Sequence, residues 1–342
     1  MDDPVRLTQY CRSAGCGCKI APMVLEEILS FAGTAEHTDR LLVGNDSRDD
    51  AAVFDLDNGK AIISTTDFFM PIVDDPFEFG QIASVNAISD VYAMGGRPLM
   101  AIAVLGWPLD KLPPGVAGRV LEGGRAACAR AGIPLAGGHS IDSPEPMFGL
   151  AVTGQAAIEN LKRNDRAVPG CELFLTKPLG VGLVATAQKR GLADQADFER
   201  AVKQMITLNS LGASLGSLPG VKAMTDVSGF GLLGHLIEMC EGSGVSATLD
   251  SERVPLLKNI DRYVEKGCTS GGTDRNFDSY GKKIGVLTER QKALLCDPQT
   301  SGGLLVAVAP DSLTAFKELS AGLDLESIGQ ITEAADPLIT VN

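Results

Sequence analysis

Residues 60–107 read KAIISTTDFFMPIVDDPFEFGQIASVNAISDVYAMGGRPLMAIAVLGW. The first ten residues are rich in β-branched and aromatic side chains and read as a strand. A helix follows, opened by Pro76 and stopped by Gly95-Gly96. PLMAIAVLGW then returns to strand. Strand, long helix and strand in succession indicate an α/β chain.

Working outward, the same grammar continues in both directions. Upstream, DDAAVFDL (49–56) reads as a strand, and PMVLEEILSFAG (22–33) places Val24, Leu25, Ile28 and Leu29 at helical spacing. Downstream, GVAGRVLEGGRAACARAG (115–132) reads as a small-residue helix and FGLAVTGQAA (148–157) as a strand. ENLKRNDRAVPG is polar, charged and closed by Pro-Gly, which places a linker at 158–170. Beyond it CELFLTKPLGVG, VKAMTDVSGFGLLGHLIEMCEG, TSGGLLVAV and LTAFKELS restart the alternation. The expected organisation is a flexible glycine- and cysteine-rich N-terminal segment with a first helix (1–48), an N-terminal domain (49–157), the linker, and a C-terminal domain (171–342). A chain of 342 residues has room for two such domains.

Composition narrows the function. Lys+Arg number 30 against 43 Asp+Glu, a formal charge of -13, which argues against a general nucleic-acid or acidic-membrane surface. The opening MDDPVRLTQYCRS lacks a basic stretch followed by an apolar one, and no later run reaches the length of a membrane span, so the expected location is the cytoplasm. Eight scattered cysteines are not the framework of a small secreted domain.

The chemistry-bearing residues are acids at or near the ends of expected elements: Asp49, Asp50, Asp67, Asp90 and Asp226. Asn86 and Asp90 share a helix face, four residues apart. Clustered carboxylates need cations, and Mg²⁺ takes oxygen ligands beside phosphates. Three glycine-rich stretches, LAGGHS (135–140), VSGFGLLG (227–234) and TSGGLL (300–305), read as turns able to bring backbone N–H groups to phosphate oxygens. His139 reads as a hydrogen-bonding or stacking residue, and His37 and His235 as structural.

AGCGCKI (14–20) admits three readings. Cys11, Cys16 and Cys18 lack the second paired set of a zinc site. A Cys16–Cys18 disulfide closes a short, strained ring suited only to reversible oxidation. A mobile thiol beside Lys19, facing a bound nucleotide, fits best.

These residues are carried by a wider likeness. AGCGCKI, GNDSRDDAAV, the decisive stretch itself, LAGGHSIDSPEPMFGLAVTG, LFLTKPLGVG, VKAMTDVSGFGLLGHLIEM, GGTDRNF and LCDPQTSGGLLVAV closely resemble the selenophosphate synthetase (selenide, water dikinase) family over nearly the whole chain. The resemblance implies an aminoimidazole-ribonucleotide-synthetase-like architecture of two α/β domains, with N-terminal sheets pairing in a homodimer. It implies conversion of ATP, selenide and water to selenophosphate, AMP and phosphate, with Mg²⁺ and a K⁺-type monovalent ion. It implies Cys16 and Lys19 as catalytic residues, and Asp50, Asp90 and Asp226 as metal ligands. Ser47, Arg48, Asp49 and Asp67 become nucleotide-side residues, and Gly138, His139 and Ser140 a nucleotide loop shared across the dimer; Lys19, Asp90 and Asn86, the last from its helix-face spacing, complete the expected binding set. The implied partners are selenide or a selenium-delivery protein and the enzymes that build selenocysteine or tRNA selenouridine, without direct nucleic-acid or membrane binding. One departure lies at Arg12, where the family pattern often has histidine; Cys11 stands beside it as a thiol able to pair with Cys16.

Overall fold

The computed structural model describes residues 5–11, 14–20, 22–31, 38–44 and 49–342. Ser47, Arg48, His37, Arg12 and the side chain of Cys18 lie outside the described residues. The N-terminal segment carries two short 3-10 turns, Leu7–Tyr10 and Gly15–Cys18, and helix α1 (Pro22–Phe31). Six strands follow: β1 (Leu41–Val43), β2 (Ala52–Asp55), β3 (Lys60–Phe69), β4 (Arg97–Trp107), β5 (Leu135–Asp142) and β6 (Met147–Ala157). Helix α2 (Pro76–Ala93) links β3 to β4, and α3 (Pro114–Arg130) links β4 to β5. The sheet runs β1-β2-β3-β6-β4-β5, and only the β4–β5 pair is parallel.

The second half contributes β7 (Glu172–Leu175), α4 (Val181–Lys189), α5 (Gln195–Met205), α6 (Leu211–Gly216), β8 (Val221–Asp226), α7 (Gly231–Ser243) and β9 (Ser246–Leu249). It continues through α8 (Asp261–Glu265), α9 (Gly271–Tyr280), α10 (Glu289–Leu295), β10 (Leu304–Val308), α11 (Leu313–Leu319), β11 (Gly329–Thr332) and β12 (Ile339–Val341). These strands form a second sheet, β12-β9-β11-β7-β10-β8, parallel only at β12–β9. The chain is thus mixed α/β, as its alternation of strand and helix signals predicts.

Helix α2 is the structural axis. Asp75 caps it by accepting from the Glu78 N–H at 2.8 Å, and Pro76 fits the first turn, where its missing N–H costs nothing. From Phe79 to Ala93 it is buried on every side. The reason is position: α2 packs on the inner face of the first sheet, against α3, and against the second half of the chain. One apolar core accordingly runs from Ile63, Phe79 and Phe148 through Ile82 and Ile88 to Val181 and Leu183 of α4. Strand β10 is buried on both faces, with Leu305 and Ala307 on one side and Leu304, Val306 and Val308 against Phe174 and Phe316 on the other.

One expectation needs correction. LAGGHS is not a turn but most of β5, because it pairs with β4 along its length. Gly138 (φ +156) runs so close to β4 that a Cβ there would sit 2.2 Å from the Ala103 carbonyl oxygen, so its glycine serves close approach of strands rather than chain reversal. Strand β3 covers the ten residues read as a strand, with Asp67 two positions before its end. Helix α1 forms as read, but Val24, Leu25, Ile28 and Leu29 face outward in the single chain. No described helix is long and apolar enough to cross a membrane.

Candidate active site

The sheets and α2 bring three aspartates from distant parts of the chain together. Asp50 precedes β2, Asp90 projects from α2 and Asp226 closes β8. One carboxylate oxygen from each lies within 4.8 Å of the other two, and among the described residues this is the cluster of His, Cys, Asp or Glu suited to a metal ion. Thr225 Oγ1 donates to Asp50 Oδ1 at 2.9 Å, and Thr65 Oγ1 donates to Asp90 Oδ2. Asp50 Oδ2 and Asp226 Oδ2 are buried with no hydrogen-bond donor.

Electrostatics make this arrangement costly as it stands. Burial raises the pKa of all three acids, and neighbouring carboxylates add to it: Asp226, Asp49 and Asp90 around Asp50, then Asp67 and Asp226 around Asp90. At Asp226 the Ser89 hydroxyl, His235 and Lys19 pull the other way. Like charges desolvated together are stable only with a compensating cation. Oxygen-only donors with orphaned lone pairs fit a hard divalent ion, so the residues present suit Mg²⁺.

Asn86, one helical turn before Asp90, joins three parts of the molecule. Its Nδ2 donates to Asp67 Oδ2 at 2.5 Å; its Oδ1 accepts from the Ser301 N–H at 2.8 Å and from Cys16 Sγ at 3.2 Å. The cysteine segment is thereby held against the acids. Gly15 N–H donates to the Met70 carbonyl at 3.0 Å, Cys16 N–H to Thr300 Oγ1 at 3.0 Å, and Arg275 Nη2 to the Gly17 carbonyl at 2.9 Å. Gly15 adopts φ +51, and a Cβ there would fall 2.4 Å from Thr300 Oγ1.

Lys19 follows one turn later. Its Nζ lies 3.7 Å from Asp67 Oδ1 and 3.5 Å from Ser228 Oγ. Burial of the ammonium pulls its pKa down, but Asp67, Cys16, Asp90 and Asp226 together raise it, so Lys19 is held charged. A fixed cation and a buried thiol therefore stand over an acidic, oxygen-lined cluster.

The remaining expected residues divide. Asp49 is half-buried beside the trio but outside it: its carboxylate accepts the N–H groups of Asp50 and Asn164, and desolvation lifts its pKa to about 7. Gly138, His139 and Ser140 lie exposed on edge strand β5, three strand positions from β3, roughly 14 Å at the usual strand spacing. One chain does not bring them to the acids. His235 packs against Phe230 and pairs with Glu238 at 3.1 Å, in keeping with a structural role. Cys128, Cys240 and Cys296 are buried thiols whose pKa is pushed up to about 11, 12 and 11 by burial, which leaves them unreactive.

Several contributors carry no local signal in the sequence: Thr65, Thr225, Thr300 and Arg275. Asp297 and Gln299, just ahead of the TSGGLL stretch, serve the fold. Gln299 Oε1 accepts from Gly180 and Val181, and Asp297 Oδ2 from Gly182 and Leu183, so both side chains cap the start of α4.

Similarity to known proteins agrees with this architecture. Residues 48–156 match the model described as AIR synthase related protein, N-terminal domain, and residues 168–342 match the corresponding C-terminal domain. A protein of Pseudomonas putida named selenide, water dikinase is 59% identical over 100% of both chains, and one of Bordetella bronchiseptica with the same name is 60% identical over 97% of both. The fold is shared with the crystal structure of thiamine-monophosphate kinase from Stenotrophomonas maltophilia, at TM-score 0.65 and 22% identity over 95% of this chain and 96% of that one. On sequence and domain content, the chain belongs to the selenide, water dikinase family of AIR-synthase-related proteins.

Proposed function

We propose that this protein makes selenophosphate: ATP, selenide and water are converted to selenophosphate, AMP and phosphate. The observation that carries the reading is the placement of Cys16 and Lys19 directly over the acidic cluster, a thiol and a fixed cation beside a site built for metal and phosphate.

Phosphoryl transfer demands positioning and neutralisation of charge more than covalent chemistry from the protein. Asp50, Asp90 and Asp226 are the residues that would hold Mg²⁺, which supplies positive charge to the phosphate oxygens of bound ATP. A K⁺-type ion completes the cofactor set that we assign. Lys19 presents its ammonium as a point charge to the phosphoryl group being transferred. Asp67 orients Lys19 and Asn86, and through Asn86 the Cys16 thiol. We assign Ser47, Arg48 and Asp49 to binding of the nucleotide. Selenide is an anion and a strong nucleophile, so no base is required to activate it. Cys16 receives or guards the selenium, and the segment closing over the site keeps water out until the second cleavage.

We assign Gly138, His139 and Ser140 to the nucleotide of a second protomer. Their exposure on β5 supports this, as do Phe68, Met100 and Ile102, large apolar side chains left exposed on the face of the sheet away from α2. The homodimer buries that face. In this reading the enzyme acts in the cytoplasm, takes selenium as selenide or from a delivery protein, and supplies enzymes that form selenocysteine or tRNA selenouridine.

The test is product stoichiometry under anaerobic conditions. AMP and phosphate released one for one, only when selenide is present, support the reading. ADP as the end product, formed at the same rate without selenide, overturns it.

A further inference from the structure

A cavity of about 410 Å³ opens on the other side of the cysteine segment, between that segment, α4 and the start of α9. Its charged lining is wholly basic: Lys189 and Arg190 at the end of α4, and Arg275 on α9, with no Asp or Glu among the lining residues. In a chain of net charge -13 such a surface is an exception. A second, much smaller cavity touches Cys16 and Lys19, and the two share Gly17, Gly272, Arg275 and Pro298 as lining. Two of those four have no side chain, and Arg275 reaches across to the Gly17 carbonyl.

We propose that this cavity is the receiving vestibule for selenium, binding it as an anion on the face of the cysteine segment away from the phosphates. The inference rests on the selenide-dependent reading above. Hydrogen selenide is a stronger acid than a thiol, so it is an anion at neutral pH, and a basic pocket raises its local concentration. The acidic cluster repels the same anion, which makes the metal and phosphate side a poor entrance. The volume exceeds a single hydroselenide ion and also accommodates glutathione selenopersulfide, GS–Se⁻, whose selenium leaves as hydroselenide when a second glutathione thiolate attacks the sulfur and forms the disulfide; both carry an anionic selenium. Gly17 and Gly272 leave little between the vestibule and Cys16, and Arg275 is placed to guide the anion past them.

The test is steady-state kinetics of selenophosphate formation at low ionic strength for the full-length enzyme, Lys189→Glu, Thr186→Glu and the control Lys203→Glu. Lys203 is exposed on α5, is absent from the cavity lining, and gives the same change in net charge as Lys189→Glu. Lys189 is exposed, so its replacement leaves the fold intact. Both cavity variants are expected to raise the KM for selenium about tenfold without moving the KM for ATP, and added salt is expected to shrink the difference. A raised KM with free hydroselenide identifies the free anion as the occupant. A raised KM with glutathione selenopersulfide supplied with excess glutathione, and not with free hydroselenide, identifies carrier-bound selenium. An unchanged KM for both, matching Lys203→Glu, overturns the vestibule. Absence of selenophosphate from the unmodified enzyme would instead refute the functional reading on which it rests.

Discussion

The Cys16 thiol lies 3.2 Å from Asn86 Oδ1, the same oxygen that accepts the Ser301 N–H, so one amide on α2 ties the cysteine segment to the second half of the chain. Asn86 is 1% exposed, and its other end holds Asp67. Replacement by alanine removes the amide shared by Asp67, the Ser301 N–H and the Cys16 thiol, and leaves the Ser301 N–H without its acceptor. Asn86→Ala is expected to cost about 2–3 kcal/mol of stability and to lower turnover as well; urea unfolding beside an activity assay measures both. A variant as stable and active as the original would remove Asn86 from this role.

Lys19 is predicted to be indispensable for charge reasons. Lys19→Ala is expected to lower kcat by about a hundredfold or more, because it removes a fixed cation from the site of phosphoryl transfer. Cys16→Ser is expected to retain partial turnover at high selenide, since selenide supplies its own nucleophile. Fully active Lys19→Ala enzyme would refute the site assignment.

Metal removal has a signature in stability. Without a divalent ion the three buried carboxylates repel one another, so Mg²⁺ at about 100 times its Kd is expected to raise Tm by roughly 5 °C. Asp226→Asn relieves that repulsion. It is expected to show a higher Tm than the original in EDTA and a much weaker response to Mg²⁺. Scanning calorimetry with and without EDTA distinguishes this from an equal response in both proteins.

Asp297 provides a pH dependence. Burial pushes its carboxyl pKa up to about 7, against an ordinary value near 4. Between those values the unfolded chain has released a proton that the folded chain retains. The folded state then binds more protons, and stability falls as pH rises from about 4 to about 7. Asp297→Asn does not titrate there. The difference in Tm between the two is expected to shift by about 2 °C or more in favour of the variant between pH 5 and pH 8. A pH-independent difference would contradict the assignment.

Gly15→Ala tests the seating of the segment. The left-handed φ and the 2.4 Å approach to Thr300 Oγ1 leave no room for a methyl group. The variant is expected to expose Cys16, now 1% accessible, and to speed its alkylation by about tenfold, read by peptide mass spectrometry.

Much of this was legible because the signals are local. Pro76 and Gly95-Gly96 bound α2, the β-branched run before Asp67 marks β3, and the five acids stand out by their positions in expected elements. The convergence of Asp50, Asp90 and Asp226 is tertiary, and the sequence points to it only through family likeness. The polar residues that secure the site were not legible for the same reason. Thr225 reaches Asp50 across 175 positions, Arg275 reaches Gly17 across 258, and Thr300 reaches Cys16 across 284. LAGGHS misleads because paired glycines serve two purposes, turning a chain or letting strands approach, and only pairing with β4 distinguishes them.

The central claim is that phosphorus becomes bonded to selenium in this site. Anaerobic ³¹P NMR of the purified protein with ATP, Mg²⁺ and K⁺, with and without selenide, tests it most directly. The account predicts a new phosphorus signal with selenium satellites, appearing only with selenide and growing in step with AMP and phosphate. ATP consumption that yields ADP alone, with no such signal in the presence of selenide, would contradict it.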